Sequence, residues 1–281
     1  MIIRTTPRLS VHIGYLFTDL PLQDRLEAAS NAGFHAVEHP QPFALSAAEV
    51  KAKLDELGMS FSQLCAGVGD ATKGEKGIAA LPGREHEFLE SLDRSLDYAE
   101  AVGCPFVHPM AGVVPDGITS ESTAETYRRN LDAAVERARG RPVSILIEAI
   151  GHAAVPSYHM HRLDQAFALA REYDRGEVSV LLDTFHAAAN GEDPLALIRS
   201  HADRLGHVHI ADHPGRHEPG SGAISFDPIL QALESVGYAG AIGFEYIPAS
   251  TTQAGLGWIG PWRERLGLPF RALSHTQLQD H

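Results

Sequence analysis

Short apolar runs alternate with amphipathic stretches along almost the whole chain, and this alternation constrains the fold more than any other feature. The strand-like runs cover 9–17, 36–39, 61–66, 106–110, 144–150, 178–184, 207–212 and 241–247. Helical periodicity falls between them, over 22–32, 47–57, 85–102, 124–139, 163–173, 194–205 and 228–236. Ser46 before Ala47 and Asp227 before Pro228 read as helix starts, the second with proline in the first turn. Gly33, Gly58, Gly103 and Gly237 read as helix stops. Strands separated by helices pair in parallel, because a parallel pair needs a long crossover. The segments around 145–147 and 180–182 are continuously apolar, as strands covered on both faces are. About eight such units in 281 residues match a closed (β/α)8 TIM barrel. The reading is one barrel domain over 1–281, with a C-terminal tail at about 268–281. The alternative is a doubly wound open sheet. Such a sheet normally carries a glycine-rich phosphate loop after its first strand, where this chain has Gly14-Tyr15-Leu16-Phe17.

Composition narrows the class of function. With 44% hydrophobic and 21% charged residues the chain is an ordinary globular protein. A formal net charge of −13 argues against a nucleic-acid surface and against docking on anionic lipid. Only Cys65 and Cys104 are present, which argues against a disulfide framework. The first residues lack the apolar core of a secretory signal, and no apolar run approaches the roughly 20 residues that span a bilayer. The expectation is a cytoplasmic enzyme, with its oligomeric state, including a homo-oligomer, left open.

Active sites of such barrels lie at the carboxyl ends of the strands. Four late strands end in ionisable groups. Glu148 closes Ile145-Leu146-Ile147, Asp183 closes Val180-Leu181-Leu182, His209 lies within His207-Val208-His209-Ile210, and Glu245 follows Ile242-Gly243-Phe244. A single carboxylate there could be neutralised by an arginine. Three carboxylates and an imidazole on one rim repel one another unless a cation sits among them. The set points to one divalent metal ion, and its three oxygens and one nitrogen suit Mn2+, Mg2+, Co2+ or Zn2+ alike.

His186, three residues beyond Asp183, is a candidate to hydrogen-bond a substrate hydroxyl; the plainer reading is a helix-start histidine. Arg216 lies on a long loop at 213–225 and suits a carboxylate or a polarised sugar oxygen; the plainer reading is a salt bridge to Glu218. His12, Glu38, His39 and His108 fall at early strand ends and line the same cavity, either against a substrate or behind the ligands. Cys65 reads as a small buried hydrophobe. A second long loop, at 67–83, is rich in glycine; loops of this length are lids or disordered connections.

Several segments are specific enough to suggest kinship. They are Gly69-Asp70, Gly74-Glu75-Lys76-Gly77, Ala80-Leu81-Pro82-Gly83-Arg84-Glu85-His86-Glu87, His108-Pro109-Met110-Ala111-Gly112, Leu182-Asp183-Thr184-Phe185-His186, the run from Ala211 through Arg216 to Gly220, and Gly243-Phe244-Glu245-Tyr246. From about Arg8 to about Arg265 the chain resembles the hydroxypyruvate isomerase and 2-oxo-tetronate isomerase family, one of the xylose-isomerase-like barrels. The resemblance implies a metal-dependent barrel in which Glu148 and Glu245 are both metal ligands and acid/base catalysts, with Asp183 completing the acidic ligands. His186, Arg216, His108 and Arg84 are the substrate-binding candidates. Three positions depart from the family pattern. His209 stands where these isomerases tend to have glutamine and the related ketose 3-epimerases have histidine. Ile247 stands where a lysine often follows Glu-Tyr, and His12 where asparagine is frequent. The implied reaction is isomerisation of a small hydroxy-keto acid through a cis-enediolate. A 3-epimerase on free sugars and a lyase or dehydratase are alternatives, as is a sugar-binding barrel without catalysis. An endonuclease-type phosphodiesterase is disfavoured by the charge.

Overall fold

The computed structural model describes residues 8–268. The tail expected at about 268–281 lies outside the described residues, Leu268 excepted. Strand, turn and helix alternate from β1 (Arg8–His12), α1 (Leu22–Asn31), β2 (Ala36–Glu38) and α2 (Ala47–Leu57) onward. The third unit contains β3 (Ser60–Phe61), β4 (Leu64–Ala66) and α3 (Glu85–Val102), followed by β5 (Phe106–Pro109), α4 (Ser120–Ala138), β6 (Ser144–Glu148) and α5 (Leu163–Ala170). Then come β7 (Val178–Asp183), α6 (Thr184–Ala189), α7 (Pro194–His201), β8 (Leu205–Ile210), α8 (Phe226–Ser235) and β9 (Ala241–Phe244). Two short helices, α9 (Thr252–Gly255) and α10 (Ile259–Arg265), complete the described chain.

The nine strands pair in parallel, in the order β3-β2-β1-β9-β8-β7-β6-β5-β4. The two ends of that order, β3 and β4, are consecutive in the chain and separated only by Ser62 and Gln63. One stretch of chain therefore pairs with β2 on one side and β5 on the other, and the sheet closes as a (β/α)8 barrel of eight staves. The single strand expected at 61–66 is broken at its middle. Ser62 N still donates to Val37 O (2.9 Å) and Cys65 N to Pro40 O (3.0 Å), so the break is a local bend in a hydrogen-bonded stave.

The helices follow from apolar spacing and capping. In α3 the buried residues Phe88, Leu92, Leu96, Ala99 and Val102 repeat at three and four and form one stripe against the sheet. Ser46 and Glu49 make a reciprocal capping box at the start of α2, and Gly58 ends it in the left-handed conformation. The start expected at Asp227 is displaced: α8 begins at Phe226, with Ser225 at the cap, so Asp227 lies in the first turn, where its charge still suits the helix dipole. Helices α6, α9 and α10 had no counterpart in the periodicity, being at most seven residues long. Near the chain's end Phe244 stacks on Trp258 at 4.0 Å, with Trp262 and Phe34 around them. Burying each such ring stabilises the fold by about 1.5–3 kcal/mol.

The glycine-rich loop at 67–83 is tied to the sheet. Gly77 N donates to Val68 O, and both Ile78 N and Ala79 N donate to Met110 O. Gly77 has φ +117, and a Cβ there would stand 2.6 Å from Met110 O, so only glycine fits. The loop at 213–225 is folded around Asp212, which accepts from His213 N and Ile224 N on one oxygen and from Gly220 N on the other. Among the described residues no helix is long and apolar enough to cross a membrane.

One irregularity lies between β7 and β8. Val180 is opposite Leu205, but the next residue, Leu181, is opposite His207, so Gly206 is an extra residue in β8. A Cβ on Gly206 would stand 2.6 Å from that of Ser179. This bulge sets the facing of everything beyond it on β8.

Candidate metal centre

Register explains how distant residues meet. Beyond the bulge Asp183 is the direct partner of His209, and His209 is the direct partner of Gly243. Residues two apart on a strand share a face. Glu245, two past Gly243, and Glu148, whose partner Leu181 is two before Asp183, therefore turn to the same wall. The result is a buried group in which one ligand atom each from Glu148, Asp183, His209 and Glu245 all lie within 4.8 Å of one another. Two ligands on opposite sides of a Mg2+-sized ion are about 4.2 Å apart, so the group needs to contract only slightly to hold one.

The donor set fits a cation on its own chemistry. Asp183 caps α6, its Oδ1 accepting from Phe185 N (2.7 Å) and His186 N (3.3 Å). Its Oδ2 is buried without a hydrogen-bond partner. His209 Nδ1 stands 2.9 Å from Glu245 Oε2, and neither ring nitrogen makes a well-directed hydrogen bond. A carboxylate oxygen left so in a dry wall is costly unless positive charge faces it; Arg216 Nη2, 3.6 Å away, supplies part of that charge, and a divalent ion would supply more. Burial, reinforced by the Glu245 charge, pushes the Glu148 carboxyl up to about 8. Burial opposes ionisation of Glu245 too, but Arg216, His12 and His209 outweigh it and hold that carboxyl well below the usual range. Burial disfavours the imidazolium of His209, yet Glu38 and Glu245 overcome it and raise its pKa well above the ordinary value.

The other expected residues are distributed around this group. Arg216 Nη2 lies 3.0 Å from Glu245 Oε2 and 3.6 Å from Asp183 Oδ2. Its guanidinium stands 5.2 Å from the Tyr15 ring and 5.4 Å from the Phe185 ring. The plainer pairing with Glu218 is not what the structure shows: Glu218 accepts from Ala249 N at 3.1 Å. His108 Nδ1 is 3.6 Å from Glu148 Oε2, and burial lowers its pKa to about 3, so the ring is neutral. His186 Nε2 is 4.0 Å from Asp183 Oδ2, its Nδ1 buried without a partner. His186 lies on α6, so the helix-start description is also true of it. His12 Nε2 is 3.7 Å from Glu245 Oε1, and its ring lies 6.4 Å from that of His39. Arg84 spends its ion pairs elsewhere, on Glu75 (3.0 Å) and Glu87 (2.6 Å) at the loop ending in Gly83. Cys65 Sγ is 3.9 Å from His108 Nδ1, and burial holds its thiol well above the ordinary range.

Sequence reasoning passed over Tyr15 and Phe185, whose rings flank Arg216. The only local signal was an aromatic residue just past a strand end. Asp212, wholly buried beneath the Arg216 loop, was equally silent.

The model of the xylose isomerase-like TIM barrel family matches residues 26–262. The chain is 35% identical over 259 residues to the 2-oxo-tetronate isomerase of Cupriavidus necator, covering 92% of this chain and 100% of that one. It is 32% identical over 256 residues to the hydroxypyruvate isomerase of Escherichia coli, covering 91% and 99%. Among solved structures, a Brucella melitensis protein described as an AP endonuclease of family 2 superposes with a TM-score of 0.86 at 32% identity, covering 91% of this chain and 99% of that one. A D-psicose 3-epimerase from Clostridium cellulolyticum superposes at 0.72 with 17% identity, over 89% of each chain, a likeness of fold alone.

Proposed function

The chain belongs to the xylose isomerase-like TIM barrel family, and from that premise we propose that it is an isomerase of small hydroxy-keto acids. The reaction is of the kind that turns hydroxypyruvate into tartronate semialdehyde, or a 2-oxo-tetronate into a 3-oxo-tetronate, through a cis-enediolate. The observation that carries this reading is the convergence of Glu148, Asp183, His209 and Glu245 at one strand rim. These four residues would hold one divalent ion. When bound, the ion supplies Lewis-acid polarisation of the carbonyl and compensates the negative charge of the enediolate.

The chain's own groups supply the proton traffic and the grip. Glu148 and Glu245 are the two glutamates of the group that can carry a proton between neighbouring carbons. Glu245, held ionised by Arg216, His12 and His209, removes the proton from the hydroxyl-bearing carbon. The same glutamate or Glu148 then returns a proton to the former carbonyl carbon, through an oxygen that the ion would not hold. Arg216, between two aromatic faces, takes the substrate carboxylate in its planar fork. His186 and His108 are placed to hydrogen-bond hydroxyls, and His108, neutral at working pH, can do so without repelling a cation.

The test is Mn2+-supplemented protein in D2O with hydroxypyruvate, 2-oxo-tetronates and free ketoses, followed by NMR. Deuterium entering the carbon next to the carbonyl of an acid substrate, with isomer formed, supports the reading. Turnover confined to free ketoses, with inversion at carbon 3, would replace it with an epimerase.

A further inference from the structure

Glu38 closes β2, yet its carboxylate meets β8, three staves away around the barrel, so it crosses the interior. Three potential donors converge on its Oε2: His207 Nε2 at 2.8 Å, Ser62 Oγ at 3.2 Å and His209 Nε2 at 3.3 Å. Ser62 lies 2.6 Å from Ser10 Oγ, and because a hydroxyl has one proton, Ser62 turned to Glu38 takes its own bond from Ser10. The carboxylate is wholly buried. Gly243 makes room for it: a Cβ there would stand 2.3 Å from Glu38 Oε1 and 2.8 Å from His207 Nε2. A buried carboxylate is expensive, and this one has a glycine, two histidines and two serines arranged about it.

We propose that Glu38 is a positioning residue for the metal centre, fixing the ring orientation and tautomer of His209. His209 is held between two carboxylates, Nε2 toward Glu38 and Nδ1 2.9 Å from Glu245. An ionised carboxylate only accepts, so Glu38 holds a ring proton on Nε2, and the proton that an ion among Glu148, Asp183 and Glu245 would displace is the one on Nδ1. His207 and the Ser10–Ser62 pair brace Glu38 so that it cannot turn away. Glu38, His207 and His209 also satisfy the distance requirement for an ion of their own. The 2.8 Å contact between His207 and Glu38 is a hydrogen-bond length, shorter than the roughly 3.0–3.4 Å between neighbouring ligands of an ion at about 2.1 Å. A brace, not a second ion, fits that contact.

The inference rests on the reading that the four rim residues hold a divalent ion, and the experiment separates the two. Mn2+ is titrated into wild type, Asp183→Asn and Glu38→Gln, with free Mn2+ read by electron paramagnetic resonance and folding by circular dichroism. One ion is expected to bind wild type, Asp183→Asn to lose it, and Glu38→Gln to bind it about 10- to 100-fold more weakly. In parallel, long-range proton–nitrogen NMR of zinc-loaded wild type should show His209 protonated at Nε2, a result obtainable even where Glu38→Gln fails to fold. Absence of Mn2+ binding in wild type removes the metal reading and the brace with it. Binding lost in Asp183→Asn but unchanged in Glu38→Gln overturns the brace alone. So does a proton on Nδ1, or a second ion per chain that Glu38→Gln abolishes.

Discussion

Arg216 Nη2 lies 3.0 Å from Glu245 Oε2, a guanidinium set directly on the carboxylate that the proposed reaction uses as its base. The contact helps keep Glu245 ionised, and in the proposed reaction the remaining N–H edge of the guanidinium takes the acidic substrate. A charged hydrogen bond of this sort contributes about 1.5–3 kcal/mol, so Arg216→Ala should raise KM for hydroxy-keto acids about 10- to 100-fold. Steady-state kinetics provides the check, and an unchanged KM would exclude the grip.

Glu148→Gln and Glu245→Gln should each lower kcat by about 100- to 10,000-fold, the usual worth of a positioned acid or base. Neither side chain carries the hydrophobic core, so thermal unfolding should remain cooperative. A variant of either that keeps near-normal turnover removes that residue from the mechanism.

Glu148 also makes ion binding depend on pH in a definite direction. Its carboxyl is pushed up to about 8, so at pH 7 in the ion-free protein it carries a proton that a ligand must shed. Mn2+ affinity should therefore rise with pH between 7 and 8, by up to about tenfold per unit for each proton shed, and less steeply once Glu148 is ionised. Calorimetry at pH 7 in buffers of different ionisation heat should report the release of about two protons per ion, one from Glu148 and one from the His209 imidazolium. Heats that do not depend on the buffer would contradict this.

Asp183 does two jobs that substitution can separate. Its Oδ1 caps α6 and its Oδ2 faces the candidate centre. Asparagine can still cap, so Asp183→Asn should lose the ion while remaining more stable to urea than Asp183→Ala, by about 1 kcal/mol. Equal urea midpoints for the two variants would mean that the cap contributes nothing.

The fold was legible because a two-sided parallel sheet writes itself as apolar runs at regular intervals, and the strand tips stood out because Glu148, Asp183 and Glu245 each follow three non-polar residues. What stayed hidden was non-local. The break at Ser62-Gln63 arises because one stave must pair with β2 and β5 in turn, which leaves no mark in its own composition. Glu38 looked like one more polar residue at a strand end, since nothing local says that it reaches β8. Arg84 sits in a distinctive motif, yet its partners Glu75 and Glu87 are revealed only by the packing of its loop.

The single extra residue in β8 carries a consequence for assembly. Side chains of a strand alternate between two faces, so without Gly206 the row Asp183–His209–Gly243 would fall out of step, and Val208 or Ile210 would occupy the inner wall instead of an imidazole. Barrels that closed one residue out of phase would look native by their helix content and still leave the four rim residues unassembled. Under the proposed metal reading, binding of free Mn2+ would then report correctly registered molecules that circular dichroism cannot tell from misregistered ones.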